Sequence, residues 1–294
     1  MPPLSLPTIV AFAALTLALC ALWIRRASTS SPPVWIYPAA IALLAAAAAH
    51  LVDSRGLLAL LGFAAVCTAA RQATTRSAIL VTHCALLAIA GALFVHRVPG
   101  FDNPRVLERV LLAPDSEPYT KYLNFDKGAA ALFLLGLYVP QRTTSDEGLQ
   151  HVTGFLWRFA ILVAVSMGLA FAVGYVRWDP KLPPWWPVWI WSMVFLTALP
   201  EEAIFRGVAQ SAIAESTVRL QKSATPIAIL TAGVLFGLAH IAGGPSYVLL
   251  ATVAGIGYGW IYASTRSIGA AIAAHVGLNT IHFLFFSYPA LRVP

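Results

Sequence analysis

Long apolar runs constrain this chain more than any other feature of its sequence. A transmembrane helix needs ~20 predominantly apolar residues to cross a hydrocarbon core of about 30 Å, and up to ten segments approach that length. They lie at approximately 7–24, 34–52, 57–70, 78–96, 128–140, 154–176, 185–214, 226–241, 246–264 and 268–287. Because the third and the fifth are short, the sequence predicts an all-α, polytopic transmembrane helical bundle of about 8–10 spans.

The composition supports a membrane protein and argues against a nucleic-acid partner. Hydrophobic residues make up 59% of the 294 residues, charged residues make up 11%, and the mean hydropathy is +0.76, whereas a soluble domain carries about 25% charged residues. The net charge of +7 comes from Lys and Arg residues that lie in short loops between apolar runs and do not cluster on one face. The predicted partner is therefore the lipid bilayer.

The loop charges predict an orientation. Arg25 and Arg26 follow the first apolar run, which favours a membrane anchor over a cleaved signal peptide. Basic residues lie on alternate connections at Arg25, Arg26, Arg71, Arg76, Arg142, Arg219, Lys222 and Arg266. Cytoplasmic loops are enriched in such residues, so these connections are predicted to face the cytoplasm in a multi-pass integral membrane protein.

One long loop divides the chain. Residues 97–127 contain four prolines with five basic and five acidic residues, so we interpret this stretch as a neutral interfacial loop. Its middle, 106–112, is predicted to form a short surface helix. The predicted organisation is N-terminal transmembrane helices and the interfacial loop over 1–127, followed by a helical core over 128–294.

Three apolar segments carry ionisable and polar residues in motifs at helical spacing, and a charge near a helix centre in a membrane costs ~2.5–3.5 kcal/mol. Segment seven contains Leu-Pro-Glu-Glu-Ala-Ile-Phe-Arg over 199–206, segment eight contains Phe-Gly-Leu-Ala-His over 236–240, and segment ten contains His-Val-Gly-Leu-Asn over 275–279. Segment nine, 246–264, supplies only glycines of interest. Because burying such residues in a membrane costs free energy, each of them needs a structural or a functional explanation.

The two adjacent glutamates of segment seven differ in their helical neighbours. Residues four apart in an α-helix lie on one face, so Glu202 can reach Arg206, and an ion pair that holds the helix in register is the favoured interpretation. Glu201 points ~100° away and is left for another partner, which favours a functional role. Two neighbouring carboxylates cannot both ionise cheaply in a poor dielectric, and a carboxyl group tuned in this way suits general-base chemistry.

The polar residues of the three segments fall at one predicted depth. With a rise of ~1.5 Å per residue, Glu201, His240 and Asn279 each lie ~15–20 Å from the same side of the membrane. A functional role is favoured for His240 beside these groups. His275 and Asn279 share a helix face, where hydrogen bonding between helices explains the pair as well as catalysis does. His282, seven residues after His275, is a candidate supporting residue.

These residues resemble the motifs of the CPBP family, the CAAX proteases and bacteriocin-processing enzymes also called the ABI family, which includes the type II CAAX prenyl endopeptidases. The family pattern is Glu-Glu-x-x-x-Arg, Phe-x-x-x-His and His-x-x-x-Asn in that order, and all three motifs are intact within 185–285. Each motif alone is weak, but three in order within membrane helices are specific. The loop sequence Tyr-Leu-Asn-Phe-Asp-Lys at 122–127 also resembles bacterial members, which predicts a bacterial inner-membrane protein.

The resemblance implies an intramembrane endopeptidase whose substrate is a membrane-associated protein or peptide. It implies hydrolysis without a covalent acyl-enzyme, in an active site inside the membrane. Carried over residue by residue, Glu201 and His240 would activate the water, His275 and Asn279 would hold the oxyanion, and Glu202 and Arg206 would support these groups.

The need for a metal ion is left open by the resemblance, because the family has been described both as metal-dependent and as a glutamate protease. Glu201, His240 and His275 would be the ligands of a zinc ion, since two imidazoles and a carboxylate form a catalytic zinc site with an open position for water. No His-Glu-x-x-His helix is present in the sequence. Direct activation by the carboxylate, with no cofactor required, is the favoured interpretation.

Two other functions are compatible with intramembrane polar residues. A family member that binds a peptide without cutting it, such as a self-immunity protein, is the first alternative, and the intact motifs argue against it. A proton-coupled transporter is the second, because intramembrane Glu and His also mark ion pathways. Inverted repeats with broken helices would favour transport, and the sequence shows none.

Overall fold

The chain is a polytopic helical membrane protein, which confirms the predicted fold class. The computed structural model describes residues 2–24, 32–139 and 148–292. Within these residues six helices are long and apolar enough to cross a membrane: Ser54–Gln72, Arg76–Phe94, Val152–Ala172, Trp186–Ser216, Ile241–Thr265 and Ile268–Phe285. The predicted loop residues Arg25, Arg26 and Arg142 lie outside the described ranges.

The first four helices begin at recognisable capping residues or follow tight turns. They are α1, Leu6–Ala21; α2, Ile36–Ala48; α3, Ser54–Gln72; and α4, Arg76–Phe94. The Asp53 carboxylate accepts hydrogen bonds from the backbone N–H groups of Arg55 and Gly56 at 2.8 and 3.0 Å, which satisfies donors that a helix start leaves unpaired. This cap makes α3 longer than the apolar run at 57–70 suggested.

The prediction of a surface helix at 106–112 is wrong. Residues Arg105–Val110 form strand β1, which pairs with strand β2, Tyr119–Tyr122. Pro104 precedes β1, and β-branched residues such as Val106, which is buried, fit a half-buried strand better than a helix. Along this strand Val106 and Leu107 are buried, and the charged residues are exposed.

A short helix after β2 explains the apolar segment at 128–140. Helix α5, Phe125–Phe133, has nine residues and continues into a five-residue π-helical turn, Leu134–Tyr138. At ~1.5 Å per residue this length falls short of a core of about 30 Å. Almost every α5 side chain is buried, so burial within the protein accounts for its apolar sequence.

The helix that carries the two glutamates is interrupted by π-helical turns. After α6, Gly148–Ala172, helix α7 runs over Trp186–Ser216. Its α-helical parts are Trp186–Met193, Leu199–Glu202 and Ser211–Ser216, and its π-helical parts are Val194–Ala198 and Ala203–Gln210. Pro200 cannot donate a backbone hydrogen bond and disturbs the helix ladder before it. The glutamates thus lie between two π-helical turns, a feature often found at functional sites.

The remaining helices carry the two histidine motifs. They are a 3₁₀ turn at Val218–Ser223, α8 at Ala224–Leu238, a second 3₁₀ turn at Ile241–Gly243, α9 at Gly244–Thr265 and α10 at Ile268–Phe285. Helices α8 and α9 approach closely at Gly237, where a Cβ atom would overlap the Thr252 side chain and the Val248 carbonyl. The glycines therefore allow close packing of membrane helices.

The chain divides into two compact units. The first unit comprises Met1–Val106, Lys121–Thr143 and Phe195–Ile204, and the second comprises Leu107–Thr120, Thr144–Val194 and Phe205–Pro294. Glu201 and Glu202 belong to the first unit, and the histidine motifs belong to the second. The division at residue 127 proposed from the sequence stays a prediction.

Candidate active site

In the first unit the two adjacent glutamates are buried. The residues Glu201 and Glu202 are 8% and 0% exposed. A buried carboxylate that is ionised needs a positive partner, because moving a charge out of water is costly. Lys127 supplies one, with its Nζ atom 3.6 Å from Glu201 Oε1. The motifs in the sequence did not identify this partner.

Lys127 is held in place by its surroundings at the start of α5. The Asp126 carboxylate accepts a hydrogen bond from the Lys127 backbone N–H at 2.8 Å, and its other oxygen lies 2.6 Å from His96 Nδ1. The Lys127 ammonium also lies 5.6 Å from the centre of the Phe94 ring, within the range of a cation–π contact. The ammonium is therefore positioned by several contacts within the first unit.

A second lysine lies close enough to feel the same charges. Burial lowers the pKa of Lys121, in strand β2, to about 8. The positive charge of Lys127 lowers that pKa further, and the negative charge of Glu201 opposes both effects. The first unit therefore places two lysines in the electrostatic neighbourhood of the Glu201 carboxylate.

In the second unit a single pocket brings together three of the predicted catalytic residues, His240, His275 and Asn279. The pocket offers about 70 Å³ to the centres of water molecules, whereas one water needs ~10–15 Å³ of such space. Its other lining residues are mostly apolar or aromatic, and they include Phe236 and Tyr258. The pocket can thus hold several waters or part of a ligand beside two imidazoles and an amide.

The His240 imidazole has a defined tautomer. His240 follows the end of α8, and its Nδ1–H donates to the Phe236 carbonyl at 2.7 Å. A bond of this kind fixes the ring orientation and leaves Nε2 as the basic nitrogen. The ring packs against Phe236 at 4.7 Å and against Tyr247 at 5.3 Å between centroids. The His240 ring is therefore held in one orientation by a hydrogen bond to its own helix and by two aromatic contacts.

The His275 imidazole is buried in an aromatic environment. His275 is 3% exposed and stacks on Tyr258, with ring centroids 4.6 Å apart and an interplanar angle of 10°. The Phe236 ring lies edge-on to it at 5.7 Å. Sequence reasoning noticed only the glycines that flank Tyr258 in segment nine. A large aromatic residue between two glycines on a packed helix was the signal that could have identified it.

The Asn279 amide lies one turn after His275 on the regular helix α10 and lines the same pocket, as the helical spacing predicted. Its Nδ2 atom donates to Met193 Sδ at 3.5 Å. A thioether sulfur is a weak acceptor, so a developing negative charge in the pocket would compete well for this amide.

His282, the candidate supporting residue, also lines the pocket. Its Nε2–H donates to the carbonyl of Ser287 at 3.2 Å, and its ring lies 5.1 Å from that of Tyr288. The hydrogen bond ties the end of α10 to the segment that follows it. This geometry suits a residue that supports the pocket wall.

Arg206 is completely buried in the second unit. Its guanidinium carbon lies 5.4 Å from the Phe236 ring centre and 5.9 Å from that of Tyr258, and these are the rings that pack against the histidines. Residues Ala203–Gln210 are π-helical, whereas the i, i+4 spacing holds for an α-helix. The predicted ion pair between Glu202 and Arg206 stays a prediction. Arg206 thus contributes a cation to the aromatic packing.

A comparison with protein-family models matches residues 183–281 to the family described as type II CAAX prenyl endopeptidase Rce1-like. The matched segment covers about a third of the chain and includes all three motifs, which confirms the resemblance seen in the sequence. No curated protein and no solved structure matches the chain. At the level of the family, the match indicates a CAAX-type membrane protease that acts on a peptide or protein.

The Rce1-like segment also holds every donor of the metal site considered above. Two imidazoles and a carboxylate have the chemistry of a catalytic zinc site, and His240 shows the Nδ1–H to carbonyl bond that is common behind metal-bound histidines. Across the described ranges, however, no group of three or more His, Cys, Asp or Glu side chains is arranged to hold a metal ion. We therefore derive no step through a metal.

Proposed function

We propose that this protein is an intramembrane endopeptidase that hydrolyses a peptide bond of a membrane-associated protein or peptide with a water activated by Glu201 and His240. The observation that carries the proposal is the pocket of the second unit, lined by His240, His275 and Asn279. The Rce1-like match over the same residues supports it. The buried Glu201 carboxylate, with the Lys127 ammonium 3.6 Å away, supports Glu201 as the base of the proposed reaction.

The proposed reaction begins with water. A proton passes from the water to the Glu201 carboxylate as the water oxygen attacks the peptide carbonyl carbon, and Nε2 of His240 orients the water. The carbonyl π-electrons move onto oxygen to give a tetrahedral oxyanion. The C–N bond then breaks, the carbonyl re-forms, and the leaving nitrogen takes the proton from Glu201. A carboxylic acid and an amine are the products.

His275 and Asn279 hold the oxyanion in this proposal. Both are N–H donors that line the pocket, and the apolar rings around them keep the local dielectric low. Preorganised donors in a water-poor site stabilise developing charge more strongly than water does. In this proposal the packing of Phe236 and Tyr258 against His275, with Arg206 over the same two rings, orients the His275 donor.

Substitution of the proposed bases tests the function. The full-length protein is purified in detergent and incubated with a panel of membrane-anchored proteins and peptide precursors, and cleavage is followed by mass spectrometry. Glu201→Ala and His240→Ala should abolish cleavage. Glu215→Ala on the same helix and His50→Ala, both at exposed positions, should not. Cleavage that survives either of the first two substitutions contradicts the mechanism.

A chelator arm of the same assay addresses the metal. Because the proposal uses direct activation by the carboxylate, cleavage by the wild type should persist after dialysis against a strong chelator. Loss of cleavage that added zinc restores would replace this mechanism with one in which Glu201, His240 and His275 are metal ligands.

A further inference from the structure

The position of Lys127 is unexplained by the proposed reaction. Lys127 lies in the first turn of α5, where the helix dipole disfavours a positive charge. Its side chain is only 15% exposed, and the Glu201 side chain that it faces is 10% exposed. Two unfavourable terms, burial and the dipole, therefore act against an ammonium here. A nearby negative charge is needed to offset them.

The Glu201 carboxylate is a negative group close to the Lys127 ammonium. The Lys127 Nζ atom lies 3.6 Å from Glu201 Oε1, which is an ion pair at longer than hydrogen-bond distance. The backbone of Lys127 is anchored by the buried Asp126 carboxylate. A Cβ atom at the next residue, Gly128, would come within 3 Å of the Leu15 and Leu196 side chains, so α5 lies tightly against its neighbours in the first unit. The ammonium is thus presented from a rigid element.

We propose that Lys127 is a positioning residue, which holds the Glu201 carboxylate in one orientation for the activation of water. This inference rests on the proposed function, in which Glu201 is the base. Lys127 does not contact the substrate in this scheme and acts only through Glu201. A lysine has three donors on a flexible stem, so it can hold the carboxylate while the other carboxylate oxygen turns toward water.

A double-mutant cycle on thermal stability tests the contact without any substrate. The four proteins are wild type, Lys127→Met, Glu201→Gln and the double variant, and their melting temperatures are measured in detergent. Lys127→Met should lower the melting temperature in the wild-type background and should have at most half that effect in the Glu201→Gln background. Lys222→Met, at an exposed position, should have equal effects in both. Equal effects of Lys127→Met in both backgrounds overturn the proposal.

The kinetic arm tests whether the contact serves catalysis. Misplacing a catalytic group by ~1 Å can cost ~10²-fold in rate, so Lys127→Met should lower kcat by about 10- to 100-fold and leave KM within about twofold. Lys127→Arg, which keeps the charge, should recover most of kcat. An unchanged kcat in Lys127→Met, or a loss confined to KM, overturns the positioning role. If the wild type cuts no substrate but the thermal cycle shows coupling, the proposed function fails and the Lys127–Glu201 contact stands.

Discussion

The two units hold their chemically active residues by different physical means. In the first unit the Glu201 carboxylate lies among charges, with Lys127 at 3.6 Å and Lys121 in its electrostatic neighbourhood. In the second unit the imidazoles of His240 and His275 lie among rings. A carboxylate loses its hydration on burial and needs charge in return, whereas an imidazole can lie among aromatic rings when its two nitrogens have hydrogen-bond partners.

Because one unit surrounds its active residue with charges and the other with aromatic rings, the two units should respond to different substitutions. A substitution of Glu201 or Lys127 that removes charge but keeps shape should disturb the first unit more than the imidazoles of the second. A substitution that removes a ring but keeps volume should do the reverse. Four experiments, in decreasing order of the change that they should produce, test this difference between the two units.

The first experiment removes the charge of the proposed base. Glu201→Gln keeps the size of the side chain, and because general acid–base catalysis contributes ~10²–10⁴-fold, kcat should fall by about 10³-fold. The substrate is any protein found in the cleavage screen, and the rate is followed at substrate saturation. Glu215→Gln, exposed on the same helix, is the matched control. A kcat of Glu201→Gln within threefold of wild type would show that the charge of Glu201 is not needed for catalysis.

The second experiment removes a proposed oxyanion donor from the second unit. Asn279→Ala should lower kcat by ~10²–10³-fold, the usual loss for such a donor, with little change in KM. Asn279→Asp should not restore the rate, because a carboxylate repels an oxyanion. An effect on KM with an unchanged kcat would assign Asn279 to substrate binding, contrary to the proposed role.

The third experiment separates ring from volume in the second unit. Tyr258→Phe keeps the ring that stacks on His275 and should retain activity within about threefold, whereas Tyr258→Leu removes a ring contact of ~0.5–1.5 kcal/mol and should lower kcat by about tenfold. Lys127→Arg serves as the counterpart in the first unit. Equal rates for the Phe and Leu variants would show that stacking does not orient His275.

The helices were predictable because the apolar runs are long, and the motif residues were predictable because charge is rare in such runs. The regular helix α10 made the shared face of His275 and Asn279 predictable as well. The π-helical turns around Glu201 were not predictable, because the pattern of apolar residues does not show whether backbone hydrogen bonds join residues four or five apart. For the same reason the apolar pattern did not show that the segment joining Glu202 to Arg206 is π-helical, and their ion pair stays a prediction.

The sequence also did not predict contacts between residues that are far apart along the chain. Lys127 and Glu201 are far apart in sequence, and only the fold brings them within 3.6 Å. Tyr258 stacks on His275 of the next helix, and the spacing of residues within the Tyr258 helix does not predict this contact. A run of seven residues fits the period of either a helix or a strand, so the pattern at 106–112 predicts a helix where the structure has the strand Arg105–Val110.

The smallest expected effect concerns the pH dependence of stability in the first unit. Burial, with the nearby charge of Lys127, lowers the pKa of Lys121 from 10.5 to about 8 despite the opposing charge of Glu201. Between these two pH values the unfolded chain keeps a proton that the folded protein has released, so rising pH favours the folded state in this window. Below pH 8 the ammonium is buried at a cost, and Lys121→Met should melt at a higher temperature than the wild type. This difference should shrink as the pH rises from about 8 towards 10.5, while the difference between wild type and the exposed control Lys222→Met should stay constant. A gap between wild type and Lys121→Met that does not change across this window would place Lys121 in water, and would confine the charged neighbourhood of Glu201 to Lys127.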